Sequence, residues 1–438
     1  MSQVITNTYA KGVEKLPLVF KDMRLAFVLL VVCFAAWGVA ANMTDPLVKV
    51  FSKIFTMSTL QASLVQFCYY GAYFCLAIPA AFINERYSYK VGVLTGLGLA
   101  IVGAFMFYPA SSSMTYGFFL AALFTLAAGL SILETSANPF VISMGPEGNA
   151  TQRLNLAQAF NPVGTNLGVF LAAMLILPNL HSATGEERAS MAPEALRAIQ
   201  SAELNAVMTP YVGMAFALIL IWACIALVKT PNTREQSATT WSGIHFGATF
   251  KRLMANKYYR FGVIAQFFNV AGQTCAWTFT IQYVMAAIGG NEAQAGMYLQ
   301  YSLILFLLSR FLMTWLMGYI RPTQLLLGMA LFASTMCAIA ALSPNMLGVF
   351  AVMSISVGLS LMFPTIYGVA LQGLGDDTKF GAAGLVMAIL GGALMPLVQG
   401  ALIDTYDAAF SYIVPLGCFL VVAGYAVFEL KNKRPAVQ

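Results

Sequence analysis

TYGFFLAALFTLAAGLSILETSANPFVI, residues 115–142, runs for 28 residues with one charged side chain, Glu134. A helix crosses the hydrocarbon of a bilayer in about 20 mostly apolar residues. The segment therefore reads as a membrane span, with Glu134 as a carboxyl inside it. Eleven further stretches of this kind lie at 25–48, 60–83, 91–109, 154–178, 210–229, 261–288, 296–318, 323–343, 347–373, 380–403 and 410–429. The whole chain agrees: 59% of its 438 residues are apolar, 9% are charged, and the mean hydropathy is +0.76. Soluble domains carry about a quarter charged residues, so a soluble enzyme or a nucleic-acid-binding protein is excluded. The expected fold class is an all-α membrane protein with twelve transmembrane helices in two six-helix halves.

The charges orient this arrangement. The expected divisions are an N-terminal segment (1–24), a first half (25–229), a central loop (230–260), a second half (261–429) and a tail (430–438). Placing both termini and every even-numbered connection on one side puts 19 of the 23 Lys and Arg there. Only Lys49, Lys53, Arg188 and Arg197 fall opposite. Basic residues stay cytoplasmic, so both termini are expected in the cytoplasm. The first apolar run is too long for a signal peptide. Pro193–Asn205, with proline at a first helical turn, reads equally as a short external helix or a solvated loop.

Several chemistries lack their residues. The seven cysteines (Cys33, Cys68, Cys75, Cys224, Cys275, Cys337, Cys418) lie in apolar runs without C-x-x-C spacing, and read as packing residues. The two histidines, His181 and His245, are far apart in polar connections, so no metal site is expected. No P-loop motif occurs. No nucleophile–base pair is visible either, which argues against a membrane enzyme.

What remains is an intramembrane polar set. Two acids, Asp45 and Glu134, fall inside spans, and no Lys or Arg appears within the first six spans to pair with them. A buried carboxylate without a cation is costly, and protonation removes that cost. Such acids suit proton coupling, although a permanently neutral carboxyl bonded to a neighbouring helix is the simpler alternative. Asn42 lies three residues before Asp45, and Asn138 four after Glu134, so each shares a helical face with its acid. Asn155, Gln158, Asn161 and Thr165 form a stripe on the fifth span, and Gln266, Asn269, Gln273, Trp277 and Thr280 another on the seventh. Amides both donate and accept, and an aromatic face can stack on a sugar ring. The set points to an uncharged, hydroxyl-rich ligand, whereas an anion would call for a buried Arg or Lys that is not expected near mid-membrane. The amides could instead be packing glue between helices, as could Tyr69, Tyr70 and Tyr73. Glu85, Arg86 and Lys90 form an expected cytoplasmic cluster. Arg310 and Arg321 bracket the end of the eighth span. These charges either latch an inner gate or simply set topology.

The stretches WGVAANMTDPLV (37–48), LETSANPF (133–140), GPE (145–147), RLNLAQAFN (153–161) and FPTIYG (363–368) carry a resemblance. So does the series Asp377, Lys379, Gly391-Gly392, Pro396, Gly400 and Asp404. The chain resembles the fucose permease-like sugar:cation symporters of the major facilitator superfamily over almost its whole length. The resemblance implies alternating access by two rocking six-helix halves around a central sugar site, in a bacterial inner membrane and without a partner chain. It assigns proton and substrate coupling to Asp45 and Glu134, and sugar contacts to Asn42, Gln158 and Asn161. From the residues, Asn138, Asn269, Gln273 and Trp277 join the expected substrate set, and Glu85, Arg86, Lys90 and Arg310 the gate. The family's L-N-D reads Met43-Thr44-Asp45 here, and its inner-gate motif survives only as Ala81, Glu85, Arg86, Ser88 and Lys90. The expected partners are a neutral sugar, a proton and the bilayer. No cofactor is expected. Sodium coupling, a drug or metabolite exporter, and a sugar sensor without net transport are the competing readings.

Overall fold

The computed structural model describes residues 17–54, 59–176, 178, 181, 187–188, 190–229 and 246–432; at 43–54, 59–64, 66, 172–173 and 207 it describes the backbone alone. Every regular element among them is helical. The first half contains α1 (Arg24–Ile54), α2 (Thr59–Arg86), α3 (Tyr89–Ser113), α4 (Tyr116–Ser143), α5 (Ala150–Gln158), α6 (Asn161–Leu175) and α7 (Pro193–Leu227). After them come α8 (Phe246–Ala255), α9 (Lys257–Thr278), α10 (Thr280–Ile288), α11 (Glu292–Leu316) and α12 (Pro322–Leu342). The last five are α13 (Met346–Leu359), α14 (Met362–Leu371), α15 (Thr378–Met387), α16 (Gly391–Thr405) and α17 (Ile413–Lys431). Asparagines start three helices of the second half. Asn256, Asn291 and Asn345 each accept a backbone N–H through the side chain, at α9, α11 and α13, satisfying donors that have no intrahelical partner.

Ten of the helical runs are long and apolar enough to cross a membrane, among the described residues. Of the twelve expected spans, the fifth and seventh are the two not among them. Both are broken, the fifth between α5 and α6 and the seventh between α9 and α10. Pro162 explains the first break: it has no N–H to give the carbonyl four residues back. Pro364 does the same to the tenth span, divided between α13 and α14. The eleventh divides before Gly391-Gly392, where helix propensity is low. Irregular backbone at membrane depth persists only where protein or a cavity surrounds it.

Two other expectations change. The 193–205 segment is the first part of α7, one continuous 35-residue helix. The central loop is partly helical: α8 packs Phe246 against Phe82 of α2 and Phe380 of α15. Residues 230–245, including His245, lie outside the described residues, as do 1–16 and 433–438.

Within the first half α3 packs on α4, α2 on α4, α1 on α6, and α3 on α7; within the second, α12 packs on α13 and α17, and α9 on α16 and α17. The halves meet where α2 and α4 touch α15, α5 touches α14, and α5 and α6 touch α11. The α1–α6 contact is close because Gly38 and Gly164 face it. A Cβ at Gly38 would collide with the Asn161 carbonyl, and one at Gly164 with that of Ala35. Small residues let membrane helices approach in this way.

Candidate functional site

Glu134 sits on α4 with 1% of its surface exposed, and its Oε2 has no hydrogen-bond partner among the described residues. The small residues of α4 bring it close to its neighbours, and two of those neighbours face this acid. Tyr73 of α2 and Tyr367 of α14 lie within electrostatic reach of it. Trp37 of α1 donates its indole N–H to the Tyr73 hydroxyl at 3.1 Å, and the Tyr69 hydroxyl lies 3.5 Å from that of Tyr73. Tyr73 and Tyr69 thus belong to a polar aromatic wall beside the acid. Trp37 was not singled out from sequence, although it precedes Asp45 by two helical turns. The Asp45 side chain lies outside the described residues; its backbone is part of α1.

The amides divide into two groups. Asn42 donates to the Gly38 carbonyl at 3.1 Å and to Thr165 Oγ1 at 3.0 Å, and Asn161 donates to the Phe34 carbonyl at 3.3 Å. Both hold α1 to α6, the packing use that sequence left open. The second group crosses the halves. Gln158 Nε2 donates to Asn138 Oδ1 at 2.8 Å, one turn beyond Glu134, while Gln158 Oε1 accepts from Arg310 of α11 at 3.5 Å. Asn155 donates to Thr365 of α14 at 3.2 Å. On α9, Gln266 and Asn269 are fully buried, and none of their four side-chain polar atoms has a partner among the described residues. Buried polar atoms normally find partners, so these amides mark room for waters or a ligand. Gln273 is half-buried on the same helix. Trp277 is turned into its own half: its indole N–H donates to Ser356 Oγ at 2.9 Å, and its ring stands edge-on to Phe306, 5.0 Å away.

Arg310 requires a correction. It is no surface charge at a helix end, because only 5% of it is exposed and its guanidinium reaches the amide seam. Position 310 lies six residues inside the end of α11, deep enough for the side chain to turn inward over the Phe306 ring. The expectation that no buried cation occurs near the polar set therefore fails. Arg153 was counted among the connections, yet it is fully buried. It donates to the carbonyls of Leu18, Val141, Ile142, Gly145 and Pro146 and to Asn149 Oδ1. These contacts tie the N-terminal segment and the turn after α4 to α5.

Among the described residues, Glu85 makes no ion pair with Arg86 or Lys90. Glu85 instead pairs with Lys379 across the halves at 3.0 Å, with 27% and 21% of the two side chains exposed. Lys90 donates to the carbonyls of Ala226 and Val228 at the end of α7, and Arg86 lies over the Tyr87 ring. Glu85 ends α2 while Lys90 begins α3 behind the Ser88 cap, so the two charges face different neighbours. At the same end of the bundle, Gln152 donates to the Thr314 carbonyl of α11 at 3.2 Å. An apolar groove of about 890 Å³ between α1, α6 and α7 contains none of the expected site residues.

Residues 25–378 match the model of the Major Facilitator Superfamily. The chain belongs to this superfamily. It is 39% identical over 418 residues to an L-fucose-proton symporter of Haemophilus influenzae, covering 92% of this chain and 96% of that protein. It is 36% identical to the L-fucose-proton symporter of Escherichia coli over 98% of both chains. A glucose/galactose transporter of Brucella abortus is 31% identical over 94% of this chain and 96% of its own. The crystal structure of the superfamily transporter FucP in the outward conformation superposes with a TM-score of 0.88 at 35% identity, covering 94% of this chain and all of that one. The chain is a multi-pass membrane protein with an all-helical major facilitator fold.

Proposed function

We propose that this chain is a secondary transporter that imports a neutral monosaccharide together with a proton by alternating access. The observation that carries this reading is Glu134: a buried carboxyl whose Oε2 has no hydrogen-bond partner among the described residues, set beside the Asn138–Gln158 amide pair. The most similar relatives named above are sugar carriers, two of them proton symporters, and carriers rather than enzymes. In the proposed cycle the outer solution delivers a proton to Glu134, assisted by Asp45, and a sugar settles between the halves. Neutralising the carboxyl removes the cost of enclosing a charge. The halves then rock, and sugar and proton leave inward.

The twelve-span count, with the fifth and seventh spans broken, is part of this reading, as are cytoplasmic termini, the bacterial inner membrane and function as a monomer. The similarity to an outward conformation fits a closed inner gate. Glu85–Lys379 and Gln152–Thr314 would be its cross-half contacts. Partly exposed ion pairs are worth about 0.2–1 kcal/mol, weak enough to open in each cycle. The substrate set comprises Asn138, Gln158, Asn269 and Gln273, with Asn42 and Asn161 holding α1 and α6 and presenting their remaining oxygens. Trp277 contributes an apolar wall. Uptake of labelled L-fucose, galactose and glucose into proteoliposomes tests the reading. Accumulation driven by an inward pH gradient supports it; accumulation that follows only a sodium gradient replaces the ion; binding without flux makes the chain a sensor.

A further inference from the structure

Among the described residues the buried acids are Glu134 and Glu203, and the buried bases are Arg153, Arg188 and Arg310. Arg188 and Glu203 satisfy each other through two hydrogen bonds, one of 2.8 Å. Arg153 is spent on carbonyl groups and Asn149. One buried charge of each sign is left, Glu134 in the first half and Arg310 in the second. They lie on the two sides of the seam where α5 meets α11.

Gln158 touches both sides of that seam. Its amide N–H donates to Asn138, one turn from Glu134, and its carbonyl accepts from Arg310. Nε of Arg310 has no partner among the described residues, and its guanidinium lies over the Phe306 ring at 5.0 Å. A guanidinium carries five N–H donors, and a buried one demands acceptors. Sugar hydroxyls are acceptors of that kind. On the sugar-symport reading above, we propose that Arg310 is a sugar-binding residue of the second half, and that protonation of Glu134 releases it to bind.

The physical basis is a hydrogen-bond relay. Asn138 lies within hydrogen-bonding reach of Glu134 and accepts from Gln158, whose carbonyl in turn accepts from Arg310. An ionised Glu134 holds the two amides in the orientation that engages the guanidinium. A proton from the outer solution forms an O–H bond on Glu134 and turns it from an acceptor into a donor, so the amides reorient and the guanidinium turns its donors to the sugar hydroxyls. When the proton leaves to the inner solution, the relay re-forms and the sugar loses its donors. Tyr73 and Tyr367 are the other titratable groups facing Glu134 from neighbouring helices; the Asp45 side chain on α1 lies outside the described residues.

The test measures binding of L-fucose, galactose and glucose to the full-length chain in nanodiscs by calorimetry, at mildly acidic and mildly alkaline pH. Wild type identifies the sugar that binds; if none of the three does, the sugar reading itself fails before Arg310 is at issue. With a binding sugar in hand, Arg310→Gln is expected to weaken acidic-pH binding by about 10–100-fold and to abolish the difference between the two pH values. Arg310→Lys, with a charge but fewer donors, should recover part of both. Glu134→Gln should bind tightly at both pH values. Wild-type affinity in Arg310→Gln overturns the proposal, as does weaker binding with the pH difference intact, the mark of a structural role. If Arg310→Gln does not fold, Arg310→Lys decides: about tenfold weaker binding with a reduced pH difference supports the proposal, and a wild-type profile overturns it.

Discussion

Glu134 and Arg153 are both fully buried, and they differ in what surrounds them. Arg153 has its guanidinium filled by five carbonyls and an asparagine, so it acts as a structural peg. Arg153→Ala should leave those carbonyls unpaired and cost more than about 3 kcal/mol. The expected outcome is loss of folded protein from the membrane, measured by yield and thermal melting in detergent, with Arg153→Lys intermediate. Glu134 has an oxygen with no partner among the described residues, so neutralising it should leave the fold intact. Glu134→Gln imitates the protonated acid and should still exchange internal for external sugar while losing uphill accumulation. Full accumulation in that variant would remove Glu134 as the coupling residue. Sequence made Glu134 legible because a lone acid stands out in an apolar run, although coupling and a neutral packing role both remained open there. It did not make Arg153 or Arg310 legible, because both stand near helix ends, where a basic residue ordinarily signals topology. Only the packing shows which way a long side chain turns.

At the scale of elements, hydropathy located the long helices well, since span length and composition follow directly from bilayer thickness. It could not show the breaks at Ala159-Phe160 and Phe279, where the amide stripes sit, because a broken helix and a whole one have the same composition. Pro162 was the available signal for the first break; the second, at Phe279, has no proline beside it. The α1–α6 contact offers a direct test of packing. Gly38→Val would drive a branched side chain into the Asn161 carbonyl, and overpacking of this kind costs about 1–3 kcal/mol. Lower thermal stability and reduced uptake are expected, whereas Gly213→Ala on α7, where a Cβ meets nothing within 4 Å, should change little. The gate is testable in the same way. Glu85→Lys or Lys379→Glu alone should favour opening of that end, read as increased labelling of cysteines placed along the α2–α15 seam, and the double reversal should restore protection. Unchanged labelling in both single variants would show that the pair is incidental.

Across the whole molecule, two helical units meet along a polar seam that runs from Glu85–Lys379 through Asn155–Thr365 to Gln158–Arg310. Hydropathy and the basic central stretch gave the expectation of two six-helix halves, and the motifs around Glu134 pointed to the sugar-carrier branch of the superfamily. The pairing across the halves could not be read, because residues 152 positions apart in sequence meet only after both units have folded. A carrier built this way should take up protons together with a neutral sugar, with Glu134 as a group that binds them. The most direct measurement is external pH in a lightly buffered suspension of proteoliposomes as L-fucose, galactose and glucose are added in turn. The account predicts alkalinisation on adding one of these sugars to wild type and none with Glu134→Gln; sugar entry without any pH change in wild type would contradict it.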